Sequence, residues 1–134
     1  MRITENNGMS ATAAIVALSG DLGAGKTTFA QGIAGALGIA ENVTSPTFVI
    51  QKIYPIPQGR FPFTHLVHID AYRLEREAEL EKIGWHERAT DPHNLIVIEW
   101  PERVAALIPL RAWGVELSHE GESSRVISIS PPAV

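Results

Sequence analysis

Cysteine is absent from the 134-residue chain, which excludes disulfides, thiolate metal sites and thiol nucleophiles. Long apolar runs are missing too. The stretch Ala13–Leu18 falls far short of the roughly 20 residues that span a bilayer. It is also too short for the core of a secretory leader and runs straight into Ser-Gly-Asp. The cytoplasm is therefore the expected location. No basic stripe occurs: four of the eleven Lys/Arg and three of the fifteen Asp/Glu precede residue 70, so the second half is acidic and the formal net charge is −4. Phosphate neutralisation supplies most non-specific affinity for nucleic acid, so any role near RNA requires a partner to carry the contacts. An Asn-Lys-x-Asp segment of the kind that reads guanine is lacking, as are internal repeats, low-complexity segments and metal-ligand clusters of histidine.

What remains is an ordinary globular composition, 45% hydrophobic and 19% charged. A chain of this length is expected to form one domain and to bury roughly two-thirds of its unfolded surface. Ala13–Leu18 reads as a buried strand because it is a continuous apolar run rather than an alternating one. Phe29, Ile33, Ala36 and Leu37 recur at helical spacing, which predicts a helix over Lys26–Leu37 with Gly38 as its stop. Thr47–Tyr54 and Leu66–Asp70 read as strands around the proline-rich connection "PIPQGRFPF". Leu74–Ile83 reads as an amphipathic helix ending at Gly84, with Arg73 and Glu77 four residues apart. Asn94–Glu99 is a second continuous apolar strand, and Pro101 suits the first turn of a short helix through Ala106. The tail "AWGVELSHEGESSRVISIS" reads as two strands about a glycine-containing turn. Strands alternating with helices predict an α/β layered domain with a mainly parallel central sheet and an antiparallel C-terminal edge.

Within this frame, Gly20-Asp21-Leu22-Gly23-Ala24-Gly25-Lys26-Thr27 fits the phosphate-loop pattern G-x-x-x-x-G-K-[ST] without adjustment. Glycines let such a loop turn tightly and aim N–H groups inward at a helix N-terminus. Lys26 is then expected to reach the β- and γ-phosphates, and the Thr27 hydroxyl to ligate Mg²⁺. At average residue usage a chance match is on the order of half a per cent. This one also falls between a predicted strand and a predicted helix, the context the motif requires.

Chemistry beyond binding needs acids, and in open α/β sheets these stand at the carboxyl ends of strands. Asp70 closes "HLVHID" and Glu99 closes "NLIVIE". Asp70 suits a Mg²⁺ contact, and Glu99 suits either the metal shell or the positioning of an attacking water. Loop-opening acids with no such role are the plain alternative. Strand alternation points Trp100 to the side opposite Glu99, as a packed cap on the core rather than a ring against nucleotide. His68 shares a strand face with Asp70, either as a satisfied hydrogen-bonding group or as a catalytic one. "TSPTF" (residues 44–48) follows the first helix, where a switch loop could set the Thr47 hydroxyl near a γ-phosphate. Arg73 either points at phosphate, the acids or a partner, or forms a helix-surface ion pair.

Four markers in order, "SGDLGAGKTTF", "SPTF", "HIDAYRL" and "IEWPE", make the chain similar to the TsaE family, the small ATPases of bacterial tRNA threonylcarbamoyladenosine biosynthesis. The likeness runs from about Leu18 to Glu102 and continues more weakly through the final strands. It implies ATP and Mg²⁺ as cofactors. The resemblance assigns the phosphate cradle to Asp21, Gly23, Ala24, Gly25, Lys26, Thr27 and Thr28, and the metal to Thr27, Asp70 and Glu99. Glu99, Lys26 and Asp70 become the catalytic set, Thr47 part of a switch-like loop, and Trp100 and Arg125 nucleotide contacts. It further implies TsaD-like and TsaB-like partners, with tRNA met only through that complex. Against the family pattern the segment ahead of the first strand is short, so the adenine side of the pocket is where a departure is expected.

Two other classes use the same loop. A small-molecule kinase would employ Asp70 and Arg73 but needs an arginine-bearing lid, which the acidic second half does not offer. A nucleotide-dependent adaptor would bind without appreciable hydrolysis.

Overall fold

The elements, in chain order, are β1 (Ala14–Gly20), α1 (Lys26–Ala36), β2 (Gln51–Pro55), β3 (His65–Asp70), α2 (Glu77–Lys82), α3 (Trp85–Ala89) and β4 (Asn94–Glu99). A 3₁₀ helix (Pro101–Leu107) and then β5 (Trp113–Glu120) and β6 (Ser124–Ser130) follow. The computed structural model describes residues 12–21, 23–41, 43–44, 50–122 and 124–132. The strands form one six-stranded sheet in the order β2-β3-β4-β1-β5-β6. β3, β4, β1 and β5 are parallel, whereas β2 and β6 run antiparallel at the two edges. The mainly parallel sheet and the antiparallel C-terminal edge are as the sequence pattern predicts. The second antiparallel edge, β2, is an addition.

Strand alternation sorts the side chains into two cores. Val16, Leu18, Leu66, Leu95, Val97, Val115 and Leu117 face α1, whose Ala30, Ile33 and Ala34 close over them. Ile15, Ala17, Val67, Ile69, Ile96 and Ile98 face the other way, against Leu80 of α2, Trp85 of α3 and Val104 of the 3₁₀ helix. Being covered on both faces, the central strands carry apolar residues at consecutive positions, which explains their lack of polar alternation.

Some boundaries differ from the periodicity. The amphipathic pattern over Leu74–Ile83 holds only Glu77–Lys82 in an α-helix, because Arg76 is extended (φ −145°, ψ 153°). Leu74 is instead fixed by a turn, its N–H donating to the Ala71 carbonyl. Arg73 therefore precedes the helix, and its spacing to Glu77 is not a helical i,i+4 relation. Gly84 stops α2 with a left-handed backbone (φ 98°) and at once begins α3, an element the sequence reading did not anticipate. The turn after Pro101 is 3₁₀ rather than α and is interrupted at Val104 (φ −133°, ψ 38°). Gly38 ends α1 at φ 83°, the left-handed stop that a Cβ would strain.

Candidate functional site

The parallel strands put their carboxyl ends on one side of the sheet. Register sets Leu18 of β1 beside Glu99 of β4, and Glu99 beside Asp70 of β3. The two acids thus become lateral neighbours where β1 hands over to the loop.

The loop itself depends on glycine. Gly20, at φ 147°, pairs with Leu117 of β5, and a Cβ there would lie 2.4 Å from the Leu117 carbonyl oxygen. Gly23 and Gly25 also take positive φ (78° and 100°), and Gly25 leads into the first turn of α1, where Phe29 N–H donates to its carbonyl. The Ala24 N–H donates to the Asp21 carbonyl, closing the turn. Lys26 stands on the first turn of α1, yet its side chain folds back over the loop. Its Nζ donates to the Gly20 and Asp21 carbonyls and lies 4.2 Å from the centre of the Trp100 ring.

Trp100 packs on the core opposite the Glu99 face, as strand alternation expects, and in addition lines the cleft. Its backbone leaves the strand in the left-handed region (φ 58°, ψ 50°), the only non-glycine residue to do so among those described. The ring consequently turns back to the loop side, tilted 51° against Tyr72 at a centroid separation of 4.9 Å. It also keeps contact with the core beneath α2 and α3. Arg103 lies over the other aromatic, 5.2 Å from the Tyr72 ring.

Gly23, Gly25, Lys26, Thr27, Thr28, Asp70, Glu99 and Trp100 surround one cleft of about 370 Å³, with Tyr72 as an additional wall. Asp70 accepts a hydrogen bond from the Tyr72 N–H at 3.0 Å. Glu99 is 3% exposed and meets His68, itself fully buried, at 2.6 Å between Oε2 and Nε2. The cleft offers oxygen ligands from threonine hydroxyls and two carboxylates, the kind a small hard divalent cation takes. Among the described residues no three acids or histidines converge closely enough to hold a metal unaided. A cation there would take its remaining ligands from phosphate and water, in keeping with a site that uses few protein carboxylates.

Not every expected residue joins this cleft. Asp21 contributes its backbone carbonyl to Lys26. Ala24 and Arg125 lie on the other side of the loop, in a second depression with Phe29, Leu117, Glu122 and Ile127, where the Arg125 guanidinium is 3.5 Å from the Gly23 carbonyl. Thr47 lies outside the described residues. The sequence reading missed Tyr72 and the link from His68 to Glu99. "HIDAYRL" carries the signal for Tyr72, two positions past the acid, whereas the histidine link depends on the register of two strands far apart in the chain.

The family model "Threonylcarbamoyl adenosine biosynthesis protein TsaE" matches residues 2–127. The chain is 39% identical over 120 residues to the tRNA threonylcarbamoyladenosine biosynthesis protein TsaE of Nostoc sp., covering 87% of this chain and 70% of the relative. Its identity to the protein of the same name from Treponema pallidum is 38% over 116 residues, covering 87% and 81%. Among solved structures, that of Bacillus subtilis YdiB superposes with a TM-score of 0.69 at 28% identity, over 94% of this chain and 73% of that one.

Proposed function

The chain belongs to the TsaE family of threonylcarbamoyl adenosine biosynthesis proteins, and we propose that within it the chain binds Mg-ATP in the phosphate-loop cleft and hydrolyses it slowly. One observation carries this reading: the loop, Lys26, Thr27, Asp70 and Glu99 converge on a single cleft at the carboxyl ends of β1, β3 and β4.

Each residue has a part in that reading. The N–H groups of the loop and of the first turn of α1 are donors for phosphate oxygens. Lys26, held by the Gly20 and Asp21 carbonyls and the Trp100 ring, would bind the β- and γ-phosphates by exchanging neutral acceptors for charged ones. The Thr27 hydroxyl and the Asp70 carboxylate would hold Mg²⁺, which would offset the negative charge that develops in phosphoryl transfer. Glu99, on the metal shell or beside it, orients the attacking water by accepting its hydrogen bond. Trp100 and Tyr72 wall the cleft.

The purpose of hydrolysis lies outside the chain. Lys26, Thr27, Asp70 and Glu99 face the cleft, and the second half of the sequence is acidic, which disfavours direct contact with tRNA. Work is therefore coupled through TsaD-like and TsaB-like proteins, whose affinity for the chain differs between its ATP and ADP states. The test is a titration of Mg-ATP and Mg-GTP into the wild-type chain, with phosphate release followed in parallel. The reading predicts tighter binding of the adenine nucleotide and slow phosphate release. Equal affinities would mean that the base is not read, and a phosphorylated small-molecule acceptor in place of free phosphate would turn the assignment to a kinase.

A further inference from the structure

His68 is the only histidine among the described residues that is fully buried, and nothing assigned above to nucleotide or metal explains it. It sits on β3 opposite Val97 of β4, two positions before the Asp70–Glu99 pair. Alternation places Leu66, His68 and Asp70 on the face that α1 covers, together with Leu95, Val97 and Glu99. The imidazole thus occupies a core position behind the cleft, where a leucine or valine would ordinarily pack. A polar ring there costs desolvation unless it is hydrogen-bonded, and it has one partner: Nε2 lies 2.6 Å from Glu99 Oε2, while Nδ1 has none among the described residues.

That asymmetry assigns the proton. Glu99 can act on water only as the carboxylate, which accepts and does not donate, so in that role Nε2 carries the hydrogen. A buried lone pair left on Nδ1 is tolerated more readily than a buried N–H with no acceptor. The ring is therefore an Nε2–H donor that occupies one oxygen of Glu99 and fixes the plane of the carboxylate at the cleft wall.

We propose that His68 is a positioning residue for hydrolysis, holding the Glu99 carboxylate in the one orientation from which it acts on water. The proposal rests on the ATPase reading above and deepens it. Partners of this kind matter because small misplacements of a reacting group are expensive: a displacement of about 1 Å can cost on the order of 100-fold. Losses on removing the residue that orients a functional carboxylate or histidine run at about 10- to 100-fold.

The experiment compares ATP turnover by wild type, His68→Gln and His68→Leu, each with the TsaB–TsaD partners. Glutamine can present an N–H near the place of Nε2; leucine fills the space without a donor. His68→Leu is expected to lose about 10- to 100-fold in kcat with KM for ATP within about twofold of wild type, and His68→Gln to recover most of the loss. A purely structural histidine would lower the melting temperature and leave kcat per folded molecule unchanged, which overturns the proposal, as does failure of glutamine to rescue. Nitrogen-15 histidine correlation spectra of the wild-type chain keep the test open if the leucine variant does not fold. A protonated Nε2 on the buried ring is expected, and an unprotonated one overturns the assignment. Absence of wild-type turnover would instead condemn the ATPase reading, so the two failures are distinguishable.

Discussion

Lys26 is 6% exposed and spends its donors on two backbone carbonyls and the face of an indole ring. Those contacts order this long side chain at the wall of the cleft, so part of its ordering cost is met within the fold. Lys26→Ala should weaken Mg-ATP binding by roughly 1.5–3 kcal/mol, the worth of a hydrogen bond to a charged group. Titration calorimetry on the folded variant checks this, and unchanged affinity would remove the lysine from the site. Glu99→Gln should behave differently, keeping most nucleotide affinity while losing most hydrolysis, because its interaction matters chiefly in the transition state. Single-turnover phosphate release reads that split; a variant with normal turnover would move the role to Asp70. At this scale the loop residues were legible because their motif is contiguous. Strand alternation accounts for the packing of Trp100 on the core but not for its reach to the loop, because it cannot foresee a non-glycine residue in the left-handed region. The His68–Glu99 bond spans 31 positions and needs the β3–β4 register, which neither segment encodes locally.

Between β1 and α1, the chain reverses within a few residues while staying against β5, and Gly20 is where that close approach is made. Gly20→Ala would push a methyl against the Leu117 carbonyl and strain a backbone at φ 147°. A loss of about 1–3 kcal/mol is expected, from overpacking together with backbone strain. Urea unfolding measures it, and a midpoint equal to that of wild type would contradict the packing described for the β1–β5 edge. Strands were the easily read elements, since continuous apolar runs of four or five residues within β1 and β4 mark burial on both faces. The helices past Asp70 were read less well. One amphipathic pattern covered a turn, two short helices' junction at Gly84 and the extended Arg76, because tertiary contacts of Leu74 and Leu80 impose the spacing without a continuous helix.

For the molecule as a whole, the sequence yielded a layered α/β class but not the strand order, which depends on long-range pairing that no local pattern specifies. That order matters for function, because placing β1 between β4 and β5 brings the loop next to Glu99 and, one strand further, Asp70. The resulting cleft is on one side of the sheet; no helix among the described residues is long and apolar enough to cross a membrane. The cleft is proposed above as a slow ATP-hydrolysing site whose turnover is governed by partner proteins. The most direct test is steady-state ATP hydrolysis by the chain alone and with saturating TsaB–TsaD complex, with Glu99→Gln as the matched control. Slow hydrolysis alone, a clear rise on adding the complex, and loss of that rise in Glu99→Gln are predicted. Rapid hydrolysis by the isolated chain, or a rate that the complex leaves unchanged, would contradict it.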